Sequence, residues 1–369
     1  MRALTVGGAM IDTIAIIESN RIEHMRMRNA DTSFLLLEEG RKTEALEIST
    51  HCGGGAVNAA IALARLGSDV STILKLGVDN RADLILARLS DEGVSTRWVV
   101  QDPRAPTGAS TLVSSHDRNA AIFTFRGANS LLEPADIHDD AFDVDMIYIS
   151  SLSNASADRF PDLVARAKAR GALVVANPGV RQLSARSGAF RKALGNIDVL
   201  ALNRSEADVL VPSLSHLVDH EMGAPRVTFD DGIEMPPLLL RGLASGGHEL
   251  DLITFFEVLI GLGPRYVVIT DGAAGAFVGT RKEIIYCPGV PTKVMGTAGA
   301  GDAFASTFAS RIAMGETPAD ALRAATLNAA SVLAHVDTQT GLLDRAALEA
   351  QLAERVGELD VRRWPLATP

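Results

Sequence analysis

Four residues near the C-terminal end could place a phosphate cradle and a base in one helical turn. Gly299-Ala300-Gly301 lead into Asp302 and an apolar helical pattern that continues to Met314. N–H groups in the first turn of a helix lack internal partners, and glycine lets an anion approach them. A carboxylate beside bound phosphate is what phosphoryl transfer to a hydroxyl requires. A glycine-rich helix start whose aspartate only complements the helix dipole would have the same sequence.

A second glycine-rich helix start lies near the N-terminal end. Gly53-Gly54-Gly55 precede an alanine-rich helical pattern over residues 56–66, and Asn58 falls in its first turn. The amide of Asn58 can donate to and accept from vicinal hydroxyl groups. Asp12 lies just past the predicted first strand, residues 3–9, where open α/β sheets bind ligands. These residues predict a site for a polyhydroxylated ligand, although Asp12 could also cap a turn.

An alternation of strands and helices must position both helix starts. It includes strands at 70–76, 145–150, 172–176 and 198–202 and helices at 80–92 and 158–170. This alternation predicts a parallel sheet with helices on both faces. Two strand-rich stretches, 13–50 and 97–126, interrupt it and predict one small added sheet. Within the first, residues 34–37 and 45–48 flank a turn and predict a hairpin.

Composition excludes several classes of function. The 369 residues carry a net charge of −10, which disfavours nucleic acid and anionic membranes as main partners. Only Cys52 and Cys287 are present, so a reducing, cytoplasmic location is expected. No apolar run reaches the roughly 18 residues of a membrane span. The chain lacks both G-x-x-x-x-G-K-[ST] and G-x-G-x-x-G, which argues against a P-loop kinase and a Rossmann oxidoreductase.

The GAGD helix start at 299–302 and the Gly53–Gly55 turn followed by Asn58 resemble the two signatures of the ribokinase (PfkB) family of sugar and nucleoside kinases. The resemblance covers about residues 1–345. It implies an α/β fold, a three-layer α/β/α sandwich with a mostly parallel sheet and a β-sheet lid over the sugar. The implied division is a core of residues 1–12, 51–96 and 127–369, a lid of residues 13–50 and 97–126, and a core insertion at 213–250.

The resemblance implies a role for each residue at the predicted acceptor site. Asp302 would accept the hydroxyl proton as general base, and the N–H groups of Gly299, Ala300 and Gly301 would hold the transferred phosphoryl group. The acceptor would contact Asp12, Gly53, Gly54, Gly55, Asn58 and Asp302. A homodimer through the lid is also expected.

The resemblance further implies ATP and Mg²⁺ as cofactors. The nucleotide would contact Asn203, Thr270, Gly272, Gly275, Gly299, Gly301 and Asn328. Glu206 would hold Mg²⁺ through water, although Asn203-x-x-Glu206 also has the spacing of a capping box. K⁺ is a further candidate, but Gly296 stands where relatives commonly have Asp or Asn. Arg181 keeps one position of a family Asp-x-Asn-x-Arg pattern whose other two residues differ here.

We therefore expect ATP-dependent phosphorylation of a hydroxyl or hydroxymethyl group of a small sugar. A nucleoside acceptor remains an alternative, and a base-sized apolar pocket around Phe34 or Phe123 would favour it. A catalytically idle sugar-binding protein is a third possibility, against which the presence of Asp302 and Glu206 argues.

Overall fold

A computed structural model of the chain describes residues 1–18, 23–26, 33–36, 40, 42–115, 120–218, 235–355 and 357–366. Its largest element is a ten-stranded sheet in which seven strands are parallel and three at one edge are antiparallel. Numbered in chain order, its strands in spatial order are β18 (Arg362–Pro365), β17 (Glu283–Cys287), β16 (Ala276–Gly279), β15 (Tyr266–Thr270), β12 (Val199–Asn203), β11 (Leu173–Ala176), β10 (Met146–Ile149), β1 (Arg2–Val6), β6 (Asp69–Leu76) and β7 (Val99–Gln101).

Helices cover both faces of this sheet over two separate hydrophobic cores. One face carries α1 (Gly55–Arg65), α2 (Asn80–Asp91), α9 (Ala300–Ala313), α10 (Pro318–Leu333) and α11 (Arg345–Glu354). The other carries α3 (Phe160–Ala169), α4 (Val180–Ala185), α5 (Ser187–Ala193), α6 (Arg204–Ser215), α7 (Pro237–Arg241) and α8 (Leu252–Gly261). The predicted three-layer α/β/α sandwich is confirmed. No helix in these described ranges is long and apolar enough to cross a membrane.

The small sheet draws strands from both interrupting stretches, as predicted. Its order is β5 (Ala45–Gly53), β2 (Met10–Ile17), β8 (Gly108–Ser115) and β9 (Ala120–Phe125). The predicted hairpin between residues 34–37 and 45–48 is wrong. Instead, β4 (Ser33–Leu36) pairs with β3 (Glu23–Arg26), and β5 pairs with β2. The eight-residue β2, which starts next to the core, is a longer partner for β5 than the four-residue β4, and a local turn could not reveal this pairing.

Two boundaries of this lid sheet also differ from the prediction. Residues 99–101 form β7, which pairs in parallel with β6 at the edge of the main sheet and is not part of the lid. Conversely, Asp12 lies within lid strand β2, opposite His51 of β5, and not in a loop after β1. The lid therefore begins at Met10 and carries one of the candidate ligand residues itself.

The predicted insertion contains a short helix and a hairpin in its described part. After α6, residues 219–234 lie outside the described ranges. The chain then forms α7 and the pair β13 (Leu243–Ser245) and β14 (His248–Leu250), which contacts α6. Arg241 of α7 donates to Asp271 at 3.0 Å, which ties the insertion to the loop after β15.

Candidate active site

The N-termini of α1 and α9 meet above the carboxyl end of β10. Gly299 is the N-cap residue directly before α9 and has φ 78°, and a Cβ atom there would lie 2.6 Å from Thr338 Cβ. A Cβ on Gly55 would lie 2.9 Å from Ser150 Oγ and 3.1 Å from Asp302 Oδ1. Both glycines are therefore needed for close approach, and the approach places Asp302 against α1.

Asp302 is held by a chain of hydrogen bonds that starts with Asn58. Asn58 Nδ2 donates to Asp302 Oδ2 at 2.9 Å. Asn58 Oδ1 accepts from Thr338 Oγ1 at 2.9 Å and from Gln339 Nε2 at 3.2 Å. Two donors on its oxygen fix the amide so that its N–H₂ end faces Asp302. Asn58 was predicted to bind acceptor hydroxyls. In the structure one of its N–H groups donates to Asp302, and its carbonyl oxygen is occupied by Thr338 and Gln339.

The ionisation of Asp302 reflects these surroundings. Burial raises the pKa of its carboxyl group to about 6, and the hydrogen bond from Asn58 lowers it. Loss of solvation disfavours the charged form, whereas a donor to the carboxylate favours it. At neutral pH Asp302 is therefore mostly ionised, but it is a stronger proton acceptor than an exposed aspartate. This is the protonation behaviour that a general base needs.

Asp12 faces the same region from the lid. Ser110 of β8 donates a short hydrogen bond to Asp12 Oδ1. Burial raises the pKa of Asp12, and the bond from Ser110 opposes that shift. A Cβ on Gly53 would lie 2.0 Å from Asp12 Oδ2, so a larger residue at position 53 would displace this carboxylate.

The triple-glycine segment thus brings two separate carboxylates into one site. Gly53 contacts Asp12, and Gly55, two residues on, contacts Asp302. Gly54 between them has φ 100° and packs on the backbone of Gly8, a conformation that favours glycine. The segment forms the floor between lid and core, with a carboxylate at each end.

Glu206 lies on the other side of Asp302, at the start of α6. Asn203 N donates to Glu206 Oε2 at 2.8 Å, and Glu206 N donates to Asn203 Oδ1 at 2.9 Å, so the capping box is formed. The pKa of Glu206 is raised to about 7, mainly by burial and also by the negative charge of Asp302, while hydrogen bonding with Asn203 opposes the rise. A cation between two such carboxylates would offset the free-energy cost of burying their charges and would reduce the repulsion between them.

The carboxylates here suit Mg²⁺ better than a metal held by protein ligands alone. No group of three or more His, Cys, Asp or Glu in the described ranges could hold a metal ion. Mg²⁺ keeps several waters and commonly binds one or two carboxylates together with substrate phosphates. Glu206 leaves one carboxylate oxygen outside its capping box and therefore fits that mode.

The predicted nucleotide residues are only partly brought together. Thr270 ends β15 beside Asn203 of β12, and Gly272 and Gly275 bracket a 3₁₀ turn directly after it. Gly275 is required, because a Cβ there would lie 2.2 Å from Cys287 O. Asn328 is different: its side chain is fully buried between helices, bonding Thr307 and the N–H of Leu343. Asn328 therefore has a packing role and no exposed group for adenine.

Space for an anion is present at the start of α9. A Cβ on Gly301 would have no atom within 4 Å, so the N-terminal face of the helix is open at this residue. In contrast, a Cβ on Gly296 would lie 2.8 Å from Val336 O and 2.9 Å from His335 O. A monovalent cation near Gly296 would meet main-chain oxygens but no side chain from that position.

The two phenylalanines suggested for a base pocket do not form one in the described structure. Phe123 is 62% exposed and lies on the face of the lid opposite Asp12, because Thr124 pairs with Ser110 and Ser110 with Asp12. The side chain of Phe34 lies outside the described part of the chain.

Four site residues were missed from the sequence. Ser150 directly follows β10, so its place beyond a strand end was a usable signal. Ser110 could have been found only from the register of β2 and β8. Thr338 and Gln339 lie 280 and 281 residues from Asn58, in a loop without a motif, and only the tertiary structure shows their contact.

Comparisons with known proteins show the family and the fold. The profile of the pfkB family carbohydrate kinases matches residues 22–227 and 245–345. A deoxyribokinase from Salmonella typhi is 25% identical over 330 residues, covering 89% of this chain and 94% of that protein. Arabidopsis thaliana ribokinase complexed with ribose and ATP superposes with a TM-score of 0.69 at 20% identity. The match covers 95% of this chain and 98% of that one. A Burkholderia thailandensis nucleoside kinase in complex with inosine superposes with a TM-score of 0.69 at 18% identity. The match covers 97% of this chain and 100% of that one.

Proposed function

Because the chain belongs to the pfkB family of carbohydrate kinases, which are ATP-dependent phosphotransferases, we propose that it phosphorylates a hydroxyl or hydroxymethyl group of a small sugar. The observation that carries the proposal is the Gly53–Gly55 segment, which contacts Asp12 at one end and Asp302 at the other. A sugar on this floor would present one hydroxyl to Asp302 while Asp12 binds others. The names of the relatives, a deoxyribokinase and a ribokinase, support a five-carbon acceptor.

In this proposal Asp302 accepts the proton as the acceptor oxygen attacks the γ-phosphate of ATP. The transition state is loose, so part of the contribution of Asp302 is to aim the hydroxyl. The unpaired N–H groups of Ala300 and Gly301, at the open start of α9, would stabilise charge on the transferred phosphoryl group. Asn58 keeps Asp302 ionised and oriented.

ATP would lie on the β12 and β15 side of Asp302, against Asn203, Thr270 and the turn at Gly272–Gly275. Glu206 would hold Mg²⁺ through water, and the bound ion would neutralise charge between the β- and γ-phosphates. The raised pKa of Glu206 supports this role, because a carboxylate in that environment gains from a nearby cation.

The proposed homodimer would use the outer face of the lid. Ile48, Phe123 and Phe125 are 67%, 62% and 51% exposed and share the face opposite Asp12. Three large apolar side chains on one sheet face are typical of an interaction surface. A second copy of the lid is the partner we propose for them.

The test is ATP turnover against a panel of sugars and nucleosides, with wild type and Asp302→Asn compared. A sugar should be the best acceptor, and Asp302→Asn should lower kcat by roughly 10²–10⁴ while the melting temperature and ATP binding change little. Near wild-type turnover in the variant would remove Asp302 from the base role. A nucleoside that outperforms every sugar would establish the alternative acceptor class. ATP binding without turnover on any acceptor would support an idle binding protein.

A further inference from the structure

The side chain of Gln339 has one end in the candidate active site and the other end against helix α2. Its Nε2 group donates to Asn58 Oδ1 at 3.2 Å and to Cys52 O at 2.8 Å. Its Oε1 atom accepts from Arg88 Nε of α2 at 3.0 Å. Gln339 is only 4% exposed, so these three bonds account for both ends of its amide. The amide therefore joins an arginine outside the site to the residue that holds Asp302.

The partners of Gln339 allow its amide only one of two orientations. An amide side chain fits the same space when its oxygen and nitrogen atoms are exchanged. The Arg88 guanidinium, however, is a donor without an acceptor, and the Cys52 carbonyl is an acceptor without a donor. Thr338, the second donor to Asn58, has a hydroxyl group that can rotate to suit either orientation of the Asn58 amide. Gln339 is therefore the donor that decides which end of Asn58 faces Asp302.

Arg88 is itself held in place by a carboxylate. Glu92, one turn further along α2, bonds Arg88 Nη2 at 2.8 Å. The same carboxylate accepts from Nε and Nη2 of Arg65 in α1, at 3.0 and 2.7 Å. Arg65 Nη1 also donates to the carbonyl oxygens of Gln339 and Leu342, at 2.9 and 2.8 Å. Charge-assisted bonds of this kind are the stronger ones, so the guanidinium of Arg88 is fixed relative to both α1 and the backbone of Gln339.

We propose that Arg88 is a positioning residue for Asp302 that acts through the amides of Gln339 and Asn58. The inference rests on the proposed kinase function, in which Asp302 is the base. With Arg88 in place, each amide presents its N–H₂ group toward the active site, and Asn58 donates to the Asp302 carboxylate at 2.9 Å. Without Arg88, the Gln339 amide loses the donor that holds its oxygen and can turn over. Asn58 would then turn its own oxygen toward Asp302, which disfavours the carboxylate form.

The experiment measures the pH profile of kcat/KM for the acceptor in Arg88→Met, which keeps an aliphatic stem and removes the donors. The acid limb, at the pKa of Asp302 of about 6, should rise by roughly half a unit to one unit. The rise is smaller than for direct loss of the Asn58 bond, because Cys52 O still favours one orientation of Gln339. At pH 6 the value should fall roughly two- to fivefold, and near pH 9 it should equal that of the wild type. The KM for ATP should not change.

An acid limb that coincides with that of the wild type, or a loss of equal size at every pH, would overturn the proposal. A double-mutant cycle shows whether Arg88 acts through Gln339 or through its charge alone. In a Gln339→Leu background the connection is already broken, so Arg88→Met should move the limb no further. Arg81→Met, which removes an exposed arginine from the first turn of α2, should leave the limb in place. Further movement in the first case, or equal movement in the second, would assign the effect to the charge of α2 and overturn the proposal.

The other titratable groups near this connection are the same in every variant. Glu206 of α6 and Tyr148 of β10 are the further groups whose charges interact with that of Asp302. Around Arg88, the ionisable residues that line the adjoining cavity of about 400 Å³ are His51, Cys52, Asp91 and Asp337. A difference between the variants therefore reports on the substituted residues.

Unfolding free energies distinguish this inference from the proposed function. A carboxyl whose pKa is raised on folding destabilises the fold as pH rises from 3.8 through its folded value. In Arg88→Met, compared with Arg88→Met carrying Asp302→Asn, this fall should end roughly half a unit to one unit higher than in the wild type. If the kinase proposal alone is wrong, no acceptor is turned over, but the fall still extends to the higher pH. If this inference alone is wrong, acceptors are phosphorylated and the fall ends at the same pH as in the wild type.

Discussion

Replacing Asn58 with leucine should move the pH dependence of catalysis, because Asn58 donates the hydrogen bond that keeps Asp302 ionised. A hydrogen bond to a charged group contributes about 1.5–3 kcal/mol, and about 1.4 kcal/mol corresponds to one pKa unit. Loss of the Asn58 bond should therefore raise the pKa of Asp302 by about one to two units, from about 6 to about 7–8. Leucine has nearly the same shape, so the packing of α1 should be kept.

The assay is the pH profile of kcat/KM for the acceptor at saturating ATP. In the wild type the acid limb should have its midpoint near the pKa of Asp302, about 6. In Asn58→Leu the ionised fraction of Asp302 at pH 7 should fall from about nine-tenths to between a half and a tenth. The value of kcat/KM should recover near pH 9. A Thr338→Val, Gln339→Leu double variant should shift the limb the same way by a smaller amount, because the unfixed amide can still face Asp302.

A measurement independent of activity checks the same pKa. A carboxyl whose pKa is raised on folding destabilises the fold as pH rises from its unfolded value, 3.8, through its folded value. The free energy of unfolding of the wild type relative to Asp302→Asn should therefore fall by about 2.4 kcal/mol between pH 4 and pH 7. In the Asn58→Leu background that fall should extend to about pH 8. If the fall still ends near pH 6 there, Asn58 does not stabilise the carboxylate and the reasoning is refuted.

Three further changes test other parts of the site. Glu206→Gln should keep the helix cap, since glutamine also closes a capping box, but should raise the Mg²⁺ concentration for half-maximal activity; an unchanged metal titration would leave Glu206 as a cap only. Gly53→Ala should weaken acceptor binding, because its Cβ would displace the Asp12 carboxylate. The Cβ of Gly301→Ala enters open space, so this variant should keep its stability but turn over more slowly, because the methyl group crowds the phosphate. Equal effects of the two alanine variants on the KM for the acceptor would contradict this. Phe123→Ser should shift the oligomer toward monomer in light scattering without lowering kcat, and a wild type that is already monomeric would exclude the lid dimer.

The sequence alone determined the general fold, because local chemistry encodes it. Alternating strand and helix patterns predicted the layered α/β sandwich, and the glycine-rich starts of α1 and α9 were placed correctly. Helix starts can be read locally, since glycine conformations and unpaired N–H groups depend on neighbouring residues only. The Asn203–Glu206 capping box is local for the same reason and formed as its spacing allows.

Only the tertiary structure decided which of these residues act on one another. The pairing of β2 with both β5 and β8, which places Asp12 in the lid next to Ser110, depends on strands 98 residues apart. Asn58 holds Asp302, which differs from its predicted role of binding acceptor hydroxyls, because Thr338 and Gln339 from the other end of the chain bond its carbonyl oxygen. Burial and long-range register set these contacts, and neither is a property of a short sequence window.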